Sequence, residues 1–79
     1  MNVDVRLFAT LADAFAVRPG DVMPTSLLDG ATIDTLIEFL GIDPQAVHLV
    51  MVKGRIVHDR SRALSDGDRV GLFPPVGGG

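Results

Sequence analysis

Ile33, Leu36, Ile37 and Leu40 stand at i, i+3, i+4 and i+7, the clearest helical periodicity in the chain. A helix with one apolar stripe must bury that stripe against another element. The segments around it supply the partner. Val3, Val5 and Leu7 alternate with Asn2, Asp4 and Arg6, and Val70 and Leu72 alternate with Arg69, Gly71 and Phe73. Period two is the signature of a half-buried strand. One main helix packed on one mixed sheet is an α+β architecture. The chain has 79 residues, enough for one domain. A domain of this size buries only about 60% of the surface its unfolded chain exposes, so a core and a deep catalytic cavity compete for the same residues.

The remaining elements follow from local signals. Thr10 is a candidate cap for a helical turn over residues 11–15, and Arg18-Pro19-Gly20-Asp21 breaks the chain. A second strand is expected within residues 22–28, with Pro24 making it an edge or bulged strand. Thr32 is the N-cap candidate of the main helix, Asp34 suits its first turn, and Gly41 is a natural stop. Asp43-Pro44 can open a short turn. Residues 48–52 read HLVMV, apolar on both faces, which predicts an inner strand. Lys53-Gly54 predicts a tight hairpin into a strand over residues 55–58. Ser65-Asp66-Gly67-Asp68 is a turn, and Pro74-Pro75 ends the last strand because neither proline has an N–H to donate.

Several function classes lose support at this stage. The chain has no cysteine, so thiol catalysis, disulfides and cysteine metal sites are out. His48 and His58 stand ten residues apart with no second ligand at metal spacing, and no metal site is expected. Asp66 and Asp68 read as turn residues rather than a catalytic pair. Net charge is −3, which disfavours a binder of nucleic-acid phosphates. No basic-then-apolar leader opens the chain and no stretch is long and apolar enough for a bilayer, so a cytoplasmic protein without membrane contact is the expectation. The charge is uneven. Residues 1–50 carry Arg6 and Arg18 against seven carboxylates, whereas residues 51–79 carry Lys53, Arg55, Arg60, Arg62 and Arg69 against three. Such a basic end is either an ordinary solvated face or a docking surface for an acidic partner.

The stretch from Asp66 to Gly79, DGDRVGLFPPVGGG, resembles the end of the small subunit of molybdopterin synthase and of the related thiamin-pathway sulfur carrier. The acidic turn, the strand, Phe73-Pro74-Pro75-Val76 and a closing Gly78-Gly79 occur in the same order. Val5-Arg6-Leu7-Phe8-Ala9 resembles the family's first strand, and residues 32–40 its helix. Two positions depart from the pattern. Lys53 precedes Gly54 where the family commonly has Asn, and Gly77 stands where a side chain is usual.

The resemblance implies a ubiquitin-like β-grasp domain over residues 1–75 and a flexible glycine-rich tail over residues 76–79. It implies no active site of the chain's own and no bound cofactor. A ubiquitin-activating-type enzyme would use ATP to adenylate the Gly79 carboxylate, and sulfur transfer would give a thiocarboxylate. Phe-Pro-Pro-Val favours the molybdopterin branch, in which a large subunit receives the tail. A thiazole synthase is the alternative partner, and a protein modifier joined to lysines through Gly79 is a further alternative. Gly77, Gly78 and Gly79 suit a narrow channel because they have no Cβ. The four residues after Pro75 reach at most roughly 14 Å. Strand parity sends Phe8 and Phe73 to the face opposite the helix, beside Leu49 or Met51. Phe8, Phe73, Pro74, Pro75 and Val76 are therefore the expected partner-binding residues.

Overall fold

The computed structural model describes residues 1–75. Its elements are β1 (Asn2–Leu7), α1 (Ala9–Ala14), β2 (Val22–Ser26), α2 (Ile33–Phe39), a 3-10 turn (Pro44–Ala46), β3 (Leu49–Val52), β4 (Arg55–Ile56) and β5 (Arg69–Phe73). They form a five-stranded sheet in the order β2-β1-β5-β3-β4. β1 and β5 run parallel at its centre, and every other neighbouring pair is antiparallel. This is the mixed-sheet β-grasp arrangement that the resemblance implies. Residues 76–79, including Val76 and all three tail glycines, lie outside the described residues.

The helix stripe and the strand alternation meet in one core. Val3, Val5 and Leu7 of β1, Val50 and Val52 of β3, and Val70 and Leu72 of β5 all turn inward. Ile33, Leu36 and Ile37 lie against them, fully buried. Each such side chain contributes about 1.5–3 kcal/mol by leaving water. α2 starts as its sequence predicts. The Thr32 hydroxyl accepts the Thr35 N–H at 3.1 Å, and Gly41 follows the helix at φ 72°.

Two local details differ from the sequence expectations, each for a visible reason. α1 begins at Ala9, and the cap position is held by Phe8, whose side chain makes no cap bond. Burying Leu11 and Ala12 directly after β1 leaves no room for an extra residue, and Ala9 turns the corner at φ 50°. Thr10 is exposed within the helix instead of capping it. β4 stops at Ile56 rather than running to His58. Past the Val57 N–H bond to the Val50 carbonyl, the chain is drawn towards the 3-10 turn. There the Arg60 guanidinium donates to the Pro44 carbonyl at 2.9 Å and to the Val47 carbonyl. Of the two alternatives for Pro24, the edge strand holds: β2 lies at the edge of the sheet and carries Pro24 in unbroken register opposite Asp4.

The turn before β5 is tied to β1 by a chain of bonds that sets the parallel register. Asn2 N–H donates to Asp66 Oδ1 at 2.7 Å, Gly67 N–H to the Asn2 carbonyl at 2.7 Å, and Asp4 N–H to the Asp68 carbonyl at 2.9 Å. Asp68 is buried. Its Oδ2 accepts the Ser65 N–H at 2.8 Å, while Oδ1 has no hydrogen bond and faces the Lys53 ammonium at 3.3 Å. This pairing gives a reason for lysine in the β3–β4 turn. Lys53 (φ 53°) and Gly54 (φ 77°) are both left-handed, as a two-residue hairpin requires. A non-glycine residue there is strained, and here its ammonium is the counter-charge of a buried carboxylate. Replacing Asp68 with Ala deprives the Ser65 N–H of its acceptor. A loss of about 1–3 kcal/mol is expected in chemical unfolding. A variant as stable as the parent would mean that the turn holds without the carboxylate.

Candidate functional site

The face of the sheet turned away from α2 carries the residues that matter. Strand alternation puts Phe73 on it, opposite Leu49 of β3 in the antiparallel register. β1 ends at Leu7, and the extended Phe8 next to it brings its ring over the same face. The two rings stack with centroids 4.2 Å apart and planes 5° from parallel. Such a pair is worth about 0.5–1.5 kcal/mol beyond the area it buries. Gly71 lies beneath the pair. A Cβ at Gly71 would stand 3.3 Å from Cε1 of Phe73 and 3.6 Å from Cε2 of Phe8. A side chain there would push the Phe73 ring outward by a few tenths of an ångström, so glycine lets the rings lie closest to the strand.

Beside the rings runs an open groove of about 240 Å³, lined by Arg6, Phe8, Met51, Gly54, Arg69 and Phe73. Its aromatic end is the end where the chain leaves the sheet. His48 N–H donates to the Phe73 carbonyl at 2.8 Å, the last sheet bond on this path. Pro74 is half-buried and Pro75 exposed. Neither has an N–H, so pairing stops at Phe73 by chemistry. Of the expected partner-binding residues, Phe8 and Phe73 are thus in contact and Pro74 and Pro75 follow directly. Val76, Gly77, Gly78 and Gly79 lie outside the described residues. Of the two alternatives for a β3 contributor, Met51 lines the groove.

Arg6 and Gly71 are part of this face and did not stand out in the sequence, and Arg69, counted there in the basic end, joins them. Parity contains the signal. Arg6 has the same parity as Phe8 on β1, and Arg69 and Gly71 have that of Phe73 on β5, so all five share one side of the sheet.

Other polar groups have local roles. The Ser61 hydroxyl and amide donate to Asp59 and hold its carboxyl below the usual carboxylate range, and both residues are exposed in a loop. Among the described residues, no three His, Cys, Asp or Glu side chains converge as a metal ion would need. No helix among them is long and apolar enough to cross a membrane. A second, more apolar groove lies on the far side of the molecule, where Leu28 and Phe39 are exposed beside Thr35.

The model of the ThiS family matches residues 5–79. No curated protein matches the chain in sequence. Among solved structures, one likeness is to a Pyrococcus furiosus protein provisionally assigned as molybdopterin converting factor subunit 1. It is 29% identical over 96% of this chain and 99% of that one, with a TM-score of 0.76. The small archaeal modifier protein 1 of H. volcanii is 21% identical over 95% and 98% of the two chains, with a TM-score of 0.74. A chain in the complex of subunits 1 and 2 of the molybdopterin-converting factor from Helicobacter pylori is 23% identical over the whole of both chains, with a TM-score of 0.65. At these identities, the last two likenesses speak for the fold.

Proposed function

The chain belongs to the ThiS family of ubiquitin-like sulfur carriers, and from that premise we propose that it carries sulfur as a thiocarboxylate on Gly79, as the small subunit of molybdopterin synthase. An oxygen of the Gly79 carboxylate attacks the α-phosphorus of ATP in an activating enzyme, and pyrophosphate leaves. A sulfur nucleophile then displaces AMP at the acyl carbon. In the large subunit, that sulfur passes to cyclic pyranopterin monophosphate. The chain itself supplies no catalytic group and holds no cofactor; ATP belongs to the activating partner, and cytoplasm is the setting.

The observation that carries this reading is the junction at Phe73. The sheet ends in two prolines beside a stacked aromatic pair on an open face, so the tail starts where a docking surface ends. Ordering glycines in a channel costs about 1–2 kcal/mol of backbone entropy per residue, and an apolar surface next to the tail is the means to offset it. Phe73-Pro74-Pro75-Val76 and the Pyrococcus likeness favour the molybdopterin branch over the thiamin branch.

The test is intact mass after incubation with a ubiquitin-activating-type enzyme, ATP and a sulfur donor. A gain equal to the difference between sulfur and oxygen is expected, mapped to the C-terminal peptide. No gain alongside a control carrier that is charged would sink the proposal. A second reading is conjugation through Gly79, since a lysine amine could attack the same activated carboxylate and displace AMP. High-mass products linked through that residue would establish it.

A further inference from the structure

The groove beside the aromatic pair is apolar at one end and cationic along its length. Arg6 stands opposite Gly71 in the β1–β5 register, and Arg69 stands opposite Asp4. Both arginines are exposed and both line the groove. Yet among the described residues neither guanidinium has a carboxylate within ion-pair distance, the ion pairs there being Met1 with Asp29 and Lys53 with Asp68. Asp4, the acid nearest in register, stays out of that distance as well. Nor, among the described residues, does either side chain donate a hydrogen bond, whereas the Arg60 guanidinium does. A guanidinium is a rigid fork of donors that matches a carboxylate in two-point geometry. Two of them, unpaired, flank an apolar strip on a chain whose overall charge is negative. The Lys53-Gly54 turn and Arg55 continue the positive side at the end away from the tail.

We infer that Arg6 and Arg69 are specificity determinants for the activating partner, pairing with carboxylates that border an apolar contact on that enzyme. The inference rests on the carrier reading above and goes further by naming the partner's chemistry. The layout has a direction. Phe73 and Arg69 are four residues apart on one strand, about 13 Å, with the aromatic anchor at the tail end and the charge at the other. An apolar contact alone lets a partner slide or turn along the strip. Charge at the far end steers the encounter toward the one orientation in which the tail meets the adenylating site, and carriers that land otherwise dissociate. Charged pairs at a rim act chiefly on encounter and orientation. They therefore belong in KM for the carrier and not in the turnover of a bound one.

The experiment uses the full chain, a ubiquitin-activating-type enzyme and ATP, with pyrophosphate release as the readout. Arg6→Glu and Arg69→Glu are each expected to raise KM for the carrier about tenfold at low ionic strength, with kcat unchanged and the unfolding midpoint held. The parent's KM should rise with salt, and the variants should lose most of that dependence. Arg6→Lys and Arg69→Lys should recover part of the loss, because charge returns without the fork. Arg62→Glu, exposed in a loop outside the groove, should leave KM unchanged. A KM indifferent to salt and to both reversals, with the parent turning over normally, overturns the inference and leaves the carrier reading standing. An equal rise in Arg62→Glu also overturns it, since net charge would then suffice. A parent chain that is never adenylated, beside an active control, overturns the carrier reading and the inference with it.

Discussion

Removing Gly79 alone is expected to abolish adenylation and sulfur loading while leaving the unfolding midpoint where it was. The shortened chain still ends in a carboxylate, that of Gly78, but the acid now sits one residue short, about 3.5 Å. A displacement of about 1 Å in a reacting group can cost about 10²-fold in rate, so a full residue takes the reaction below detection. Stability should not follow, because the sheet, α2 and the buried core are complete within residues 1–75. Pyrophosphate release and intact mass report the first effect, and thermal unfolding the second. If the truncated chain is charged normally, Gly79 is not the reactive residue. If it unfolds at a lower temperature, the last residue belongs to the fold and the tail has been misassigned.

The second large effect is expected at Phe73. Exchange for Asp places a charge in the centre of the aromatic face, where central anchors of interfaces typically cost about 2 kcal/mol or more on truncation. Binding to the activating enzyme should therefore weaken by roughly thirtyfold or more. The fold should lose less, because Phe73 is only half-buried and its stack with Phe8 is worth about 0.5–1.5 kcal/mol. Titration calorimetry against the partner and denaturant unfolding of the free chain separate the two. Equal losses in both would assign Phe73 to the core rather than to docking.

The fold was legible from local patterns wherever one face of an element is buried. The stripe from Ile33 to Leu40 and the alternation in β1 and β5 set which side chains point inward, and the inward set also defines the outward one. Phe8 and Phe73 came out of that argument correctly. Their mutual stacking did not, because it is a fact about two strands at once, with Gly71 leaving space beneath both rings. Arg6 was hidden, and Arg69 was visible only as one charge of the basic end, for a different reason. An exposed arginine on a strand is unremarkable until a neighbouring strand places an aromatic pair and a second unpaired arginine beside it. The start of α1 was misjudged because a side-chain cap was assumed where burial of Leu11 and Ala12 decides the geometry. The end of β4 was misjudged because Arg60 reaches carbonyls 13 and 16 residues away in sequence.

The strand register has a bearing on how the molecule is made. β1, the first strand of the described domain, has β5, its last described strand, as its parallel neighbour, and the turn before β5 is bonded to Asn2 and Asp4. The middle of the sheet is therefore vacant until almost all of this domain has been translated. Contacts this distant in sequence form late, since loop closure must come first. A nascent or prematurely stopped chain has neither the strand that bears Phe73 nor the pairing that steadies Phe8. A partner that requires the aromatic face, as proposed above, would meet it only on copies in which β5 has been made and paired.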